Sequence, residues 1–201
     1  MGTRTAPAAT EKPDPEGRVA ELLPAAVAYL NREGLENFSL ASLATALGTS
    51  SRMLIYHFGS RDELLARVQA EMRRNVTAEL RSRQFDKLSD AVHATWNYYV
   101  AQLSHMELFF HLVSRSFEEP AAFTAFSSTS VSDWEEFFAS VAEREGHEEP
   151  EARTLARLAL AGFRGLILDL AITGDLRRLA RSEKAFGEML DAYALTASTR
   201  G

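Results

Sequence analysis

From Val19 onward the apolar side chains return every three or four positions, the spacing of a helix face rather than of a strand. Val19, Leu22, Leu23, Ala26, Val27 and Leu30 keep that period. They predict a first helix from Gly17 that ends at Gly34, with Pro24 marking either its start or a kink. Short helices are expected at Leu40–Leu47, N-capped by Ser39, and at about Ser50–Phe58, with a tight turn at Gly48 between them. Gly59 and Ser60 interrupt the pattern, and Ser60 caps a fourth helix that runs from Arg61 to roughly Arg83. Further helices follow at Leu88–Leu103, His105–Phe117, Ala121–Glu145, Glu151–Thr173 and Leu176–Ala197. No stretch alternates at period two long enough for a strand, and no internal repeat is visible. The expected fold class is all-α, with about nine helices.

Residues 1–16 hold three of the six prolines and no apolar period, so a disordered tail is expected there. A head over 17–62 and a body over 63–201 complete the expected division. The tail lacks the apolar core of a secretory signal, which points to the cytoplasm. The apolar run 155–172 is interrupted by Arg157, Arg164 and Asp169, charges that are costly in lipid, so no membrane partner is expected. A helix apolar around most of its circumference must still be covered. Leu158, Ala161, Gly165, Leu168 and Ile172 make one face; Phe163, Ile167 and Leu170 make another. One face suits the chain's own core and the other a second subunit, the alternative being a central helix of a monomer. Small residues at Ala161, Gly162 and Gly165 permit close helix approach.

Residues 39–58 have the layout of a helix-turn-helix. Leu40, Leu43, Ala44 and Leu47 pack the first helix, and Leu54 and Phe58 anchor the second. The free face of the second then carries Ser51, Arg52, Met53, Ile55 and Tyr56. Such a helix fits the DNA major groove, and its N-terminal amides attract a phosphate. A plain αα-corner has the same outline, so the layout alone leaves both readings open.

Charge first argues against DNA, then stops doing so. The whole chain carries −6, the wrong sign for a coat of positive charge. Residues 1–85, however, carry 11 basic and 10 acidic side chains, and the acid excess lies beyond them. Non-specific affinity for DNA is therefore expected to be modest and steeply salt-dependent. Cysteine is absent, which excludes disulfides and thiolate chemistry.

Residues 34–65 resemble the DNA-binding head of the TetR-type transcriptional regulators. The resemblance rests on Gly34, Phe38-Ser39-Leu40, Leu43-Ala44, Gly48-x-Ser50, Leu54, His57-Phe58 and Ser60-Arg61-Asp62-x-Leu64-Leu65. The later stretch Gly165–Gly174 is similar to the eighth helix of many members, which a ninth follows. One departure stands out: the family usually has tyrosine directly after the leucine, where this chain has Ile55, with Tyr56 one position on. The resemblance implies phosphate contacts by Ser39 and Ser50, base contacts by Ser51, Arg52 and Met53, and backbone contacts by Tyr56, His57 and Arg61. Arg52 is the candidate for a bidentate guanine contact.

The resemblance also implies a homodimer built from the last two helices, with Leu158, Ala161, Gly165, Leu168 and Ile172 at its interface. It implies a ligand cavity in the body, for which Trp96, Tyr99, Met106, Phe110, His111, Phe126, Trp134 and Phe163 are the candidate lining. His93, Asn97 and Arg115 are further candidates for orienting a ligand. The function implied is a repressor of a near-palindromic double-stranded operator, released by a small, largely apolar effector. No cofactor is expected. Two other classes have their own requirements. A helical ligand-binding or adaptor protein would lack specific DNA binding. An all-α di-metal enzyme needs Glu-x-x-His pairs on two helices, and Glu107 with His111, four apart, has no second copy.

Overall fold

The computed structural model describes residues 15–197, and the tail expected over 1–16 lies outside them apart from Pro15 and Glu16, which belong to the first helix. The element order is α1 (Pro15–Glu33), α2 (Leu40–Ala46), α3 (Ser51–Phe58), α4 (Arg61–Ser82), α5 (Leu88–Ala101), α6 (Leu103–Glu118), a 3-10 turn (Pro120–Phe123), α7 (Thr124–Glu145), α8 (Glu149–Thr173) and α9 (Leu176–Ala197). The all-α reading holds. Pro24 neither starts nor ends α1, which runs through it.

Three serines start three successive helices. Ser39 Oγ accepts from the Ser42 amide at 3.0 Å, and Ser42 Oγ accepts from the Ser39 amide at 3.1 Å, a closed capping box. Ser50 Oγ accepts from the Met53 amide at 3.2 Å, and Ser60 Oγ from the Glu63 amide at 3.1 Å. Between α2 and α3 the chain reverses at Gly48, whose φ of +65° lies where a side chain would be strained.

Some boundaries differ from expectation; α8, for one, begins at Glu149 rather than Glu151. The break between α5 and α6 falls at Gln102, where φ is −133° and ψ 53°, so α6 begins at Leu103 rather than His105. No glycine or proline marks that break. Pro120 opens a short 3-10 turn rather than a bare loop, because its missing N–H suits the first turn of a helix.

The apolar core is continuous from head to body. Leu43, Ala44, Leu54 and Phe58 close the head beneath α1. Leu64, Leu65 and Val68 of α4 complete that cluster, and the same helix continues into the body with Met72, Val76 and Leu80. In the body α7 and α8 form the most extensive packing. Trp134, Phe137 and Phe138 of α7 make an aromatic cluster that reaches Tyr99 on α5 and Phe163 on α8. Gly162 serves close approach within the chain: a Cβ there would sit 2.3 Å from Cζ of Phe186 on α9.

Besides α4, two polar struts join head to body, and both end on α6. His105 Nε2 lies 2.7 Å from Oδ1 of Asn31 on α1, so Nε2–H is the donor, and Nδ1 can accept from the Tyr98 hydroxyl at 3.4 Å. Arg115 donates to Asp62, the second residue of α4, at 2.9 Å. Burial pushes the His105 imidazolium down to about 4, far below the ordinary histidine value. The unfolded chain therefore binds the proton more readily than the folded one between pH 4 and 6.5. The resulting stability is complete above about pH 6.5 and is lost as pH falls towards 4. We expect about 2 kcal/mol less stability at pH 5 than at pH 7 from this group, read as a lower urea midpoint. A His105→Gln variant, which does not titrate, should lose that share of the pH dependence.

Candidate nucleic-acid interface and body cavities

The second helix of the pair, α3, divides cleanly. Leu54 and Phe58 point into the head core and are fully buried. Arg52, Met53 and Tyr56 face outward, with Met53 41% and Tyr56 64% exposed. Ser51 is half-buried beside them, and Ser50 caps the helix. An arginine and a thioether thus stand exposed in the first turn of a helix of groove-filling width, with a phenol one turn further along. Ile55, at the position usual for tyrosine, is half-buried, whereas Tyr56 is free of the core.

Ser39 is exposed at the start of α2. Arg61, at the start of α4, lies 5.2 Å above the Phe38 ring and 3.3 Å from Asp62, so it is held in place but still partly exposed. His57 departs from the expected row. It is only 9% exposed, points inward, and its Nδ1 is buried without a hydrogen-bond partner. Its ring meets the Tyr56 ring edge-on at 5.1 Å, so its visible role is to pack behind that tyrosine.

The body places the expected cavity residues in different environments. Tyr99, Met106, Trp134 and Phe163 line one small internal cavity of about 10 Å³, together with Phe109, Gln69, Arg73, Ser130 and Arg164. That volume is about one water molecule. Phe126 lines a separate open cleft of about 590 Å³ between α4, the 3-10 turn and α7. Trp96 borders a shallow groove between α5 and α9, with His93, Asn97 and Glu183. Phe110 and His111 stand half-buried on α6 outside the lining of the small cavity, the His111 Nε2 without a partner. The expected roomy aromatic chamber is therefore closed here, because Trp134, Tyr99 and Phe163 fill it with ring contacts 5.5–6.4 Å apart.

The remaining polar candidates have partners of their own. His93 Nδ1 is 3.0 Å from Glu183, and Asn97 is 3.0 Å from His93 Nε2. Arg115 pairs with Asp62, Glu118 and Glu119. What sequence reasoning missed are two arginines at the core. Arg73 is 2% exposed and spends its guanidinium on Asp133 at 2.7 Å, Gln69 at 2.8 Å and Thr129 at 2.9 Å. Arg164 donates to the Ser130 carbonyl at 2.6 Å and lies 4.7 Å above the Phe109 ring. Burial pushes the Arg164 guanidinium down to about 10, with Tyr99 opposing the shift and Arg73 adding to it. For Arg164 the available signal was an arginine inside an otherwise apolar run; Arg73, in the polar stretch 71–75, had none.

On α8, Phe163, Ile167 and Leu170 are buried against the body. Leu158, Ala161, Gly165, Leu168 and Ile172 lie on its exposed side, Ile172 at 74%. Leu176, Met189 and Tyr193 of α9 are exposed as well. Among the described residues no group of acidic and histidine side chains has the arrangement of a metal site, and no helix is long and apolar enough to cross a membrane.

Comparison with known proteins agrees with this geometry. The sequence model described as "Bacterial regulatory proteins, tetR family" matches residues 22–68, the span from α1 into α4. That stretch matches the TetR family's model, and the whole chain has the fold of TetR-type regulators. A head that matches this family and a fold shared with its regulators support a DNA-binding transcriptional regulator. Among solved structures, a TetR transcriptional regulator from Legionella pneumophila is 19% identical, with a TM-score of 0.64 over 84% of this chain and 94% of that one. The multidrug binding protein EbrR, complexed with imidazole, is 18% identical, with a TM-score of 0.61 over 94% and 96%. NalD of Pseudomonas aeruginosa, the secondary repressor of the MexAB-OprM multidrug efflux pump, is 17% identical, with a TM-score of 0.53 over 89% and 97%. No curated protein matches the chain.

Proposed function

We propose that the chain is a homodimeric repressor whose two heads read a near-palindromic operator and which a small effector, bound in the body, releases. The carrying observation is the row Arg52, Met53 and Tyr56, exposed on one side of a helix whose other side is locked by Leu54 and Phe58. In this reading α3 lies in the major groove, with Ser51, Arg52 and Met53 at base edges and Tyr56 along a strand. Ser39, Ser50 and Arg61 meet phosphates. The repressor role finds support in NalD, a repressor of the same fold.

The head over 17–62 and the body over 63–201 then act as reader and sensor. Two-fold pairing through α8 and α9 covers Leu158, Ala161, Gly165, Leu168 and Ile172. An effector that favours another spacing of the heads weakens operator binding, and by linkage the operator weakens effector binding by the same factor. The Asn31–His105 and Asp62–Arg115 contacts make α6 the element through which a change in the body reaches the head. A cytoplasmic location fits a DNA-reading role.

The test is selection of bound sites from a random DNA pool, followed by gel shift with wild type, Arg52→Ala and Arg61→Ala. An enriched near-palindrome bound less well by the variants is the expected result. Unchanged binding in both variants overturns the assignment of the reading face.

A further inference from the structure

We propose that the effector is an organic carboxylate with an apolar body, its carboxylate taken by Arg164 and its apolar part seated in the cleft between α4 and α7. The proposal rests on the effector reading above and names the effector's chemistry.

Cleft and core cavity are neighbours through a wall of rings. The cleft is floored by Ala66, Ala122, Ala125, Phe123 and Phe126. Phe126 meets Phe109 with ring centroids 6.0 Å apart, and Phe109 lines the small cavity on the far side. Directly over Phe109 lies the Arg164 guanidinium. Behind the wall, then, is a cation that makes no ion pair among the described residues.

Charge bookkeeping points to the class of ligand. Two guanidiniums, Arg73 and Arg164, line the small cavity, and no carboxylate does. Asp133 answers Arg73 at 2.7 Å, whereas Arg164 has one carbonyl and one ring face. A largely buried cation lacking an anion is costly unless something supplies one, and a planar guanidinium matches a carboxylate in two parallel hydrogen bonds. Ser130 and Tyr99 beside it add polar edges to an otherwise aromatic chamber. A cation of similar size would be repelled by both arginines. The cleft volume of about 590 Å³ accommodates the ligand's apolar portion once Phe126 and Phe109 part.

The experiment uses the intact protein and a panel of aryl and alkyl carboxylates of about six to ten carbon atoms, each with its matching amide and amine. Calorimetry measures binding, and gel shift on the selected DNA measures release. Carboxylates should bind about tenfold or more tighter than their amides. Arg164→Gln should bring the carboxylate down to the amide's level, and Arg164→Lys should retain part of the preference. Equal or weaker binding of the carboxylates, failure of all carboxylates to bind, or an undiminished preference in a folded Arg164→Gln protein overturns the proposal. Amides or amines that bind and release the DNA overturn the anion preference while leaving the effector reading standing. Carboxylates that bind through Arg164 without releasing the DNA support the site and remove the effector reading.

Discussion

Replacing Arg52 with alanine should weaken binding to the selected operator by about 30-fold or more while leaving the fold intact. A bidentate arginine–guanine contact discriminates by about 1–3 kcal/mol, and a two-fold dimer makes it twice. Arg52 is exposed, so thermal unfolding should be little changed. The loss should concentrate at one base position of each half-site, seen as relaxed preference there when the selection is repeated with the variant. A uniform loss across all sequences would instead mark Arg52 as a phosphate contact.

The second large effect is expected at α8. Leu168→Glu combined with Ile172→Glu should convert a dimer into monomers at micromolar concentration, read by sedimentation. Both side chains are exposed in the single chain, so the substitutions should spare its core. A two-fold axis brings each patch against its own copy, so every added carboxylate would lose water and face a like charge. Beside the patch, Arg178 is already paired with Asp169 at 2.8 Å. Operator affinity should then fall by about 100-fold or more, since two half-sites are no longer held together. Intact dimers with the double change would remove α8 from the interface.

Much of this architecture was legible because helices advertise themselves locally. Ser39, Ser50 and Ser60 announce three starts, and Gly34, Gly59 and Gly174 announce three ends. The inner and outer faces of α8 follow from a period of 3.6 residues. The boundary at Gln102 was not legible, because no breaker residue marks it. His57 was misplaced although it stands three residues after Leu54 and beside Phe58, on the core face of α3; the family resemblance, not the period, put it on the DNA side. The cavity was the hardest part. Aromatic content shows that rings gather, but whether they enclose space or fill it depends on ring orientation, and here Trp134 and Phe138 stack 5.7 Å apart. The roles of Arg73 and Arg164 were overlooked because Thr129, Ser130 and Asp133, which they meet on α7, lie 34 to 60 residues away along the chain.

The serine caps carry a consequence for how the head senses ionic strength. A helix start presents neutral amide dipoles to a phosphate, and a dipole displaces no condensed counterion from the duplex. Of the head's other arginines, Arg18 and Arg32 already pair with Glu21 and Glu33. Arg61 also pairs with Asp62 at 3.3 Å, so about one to two cations per head, Arg52 and in part Arg61, remain to release ions, which gives a log–log salt slope of about −2 to −4 for the dimer. The steep dependence first expected from the acidic body therefore does not follow, since the slope counts phosphates neutralised rather than net charge. A head that grips with hydroxyls and amides should keep its operator through swings in salt that would strip a lysine-rich one.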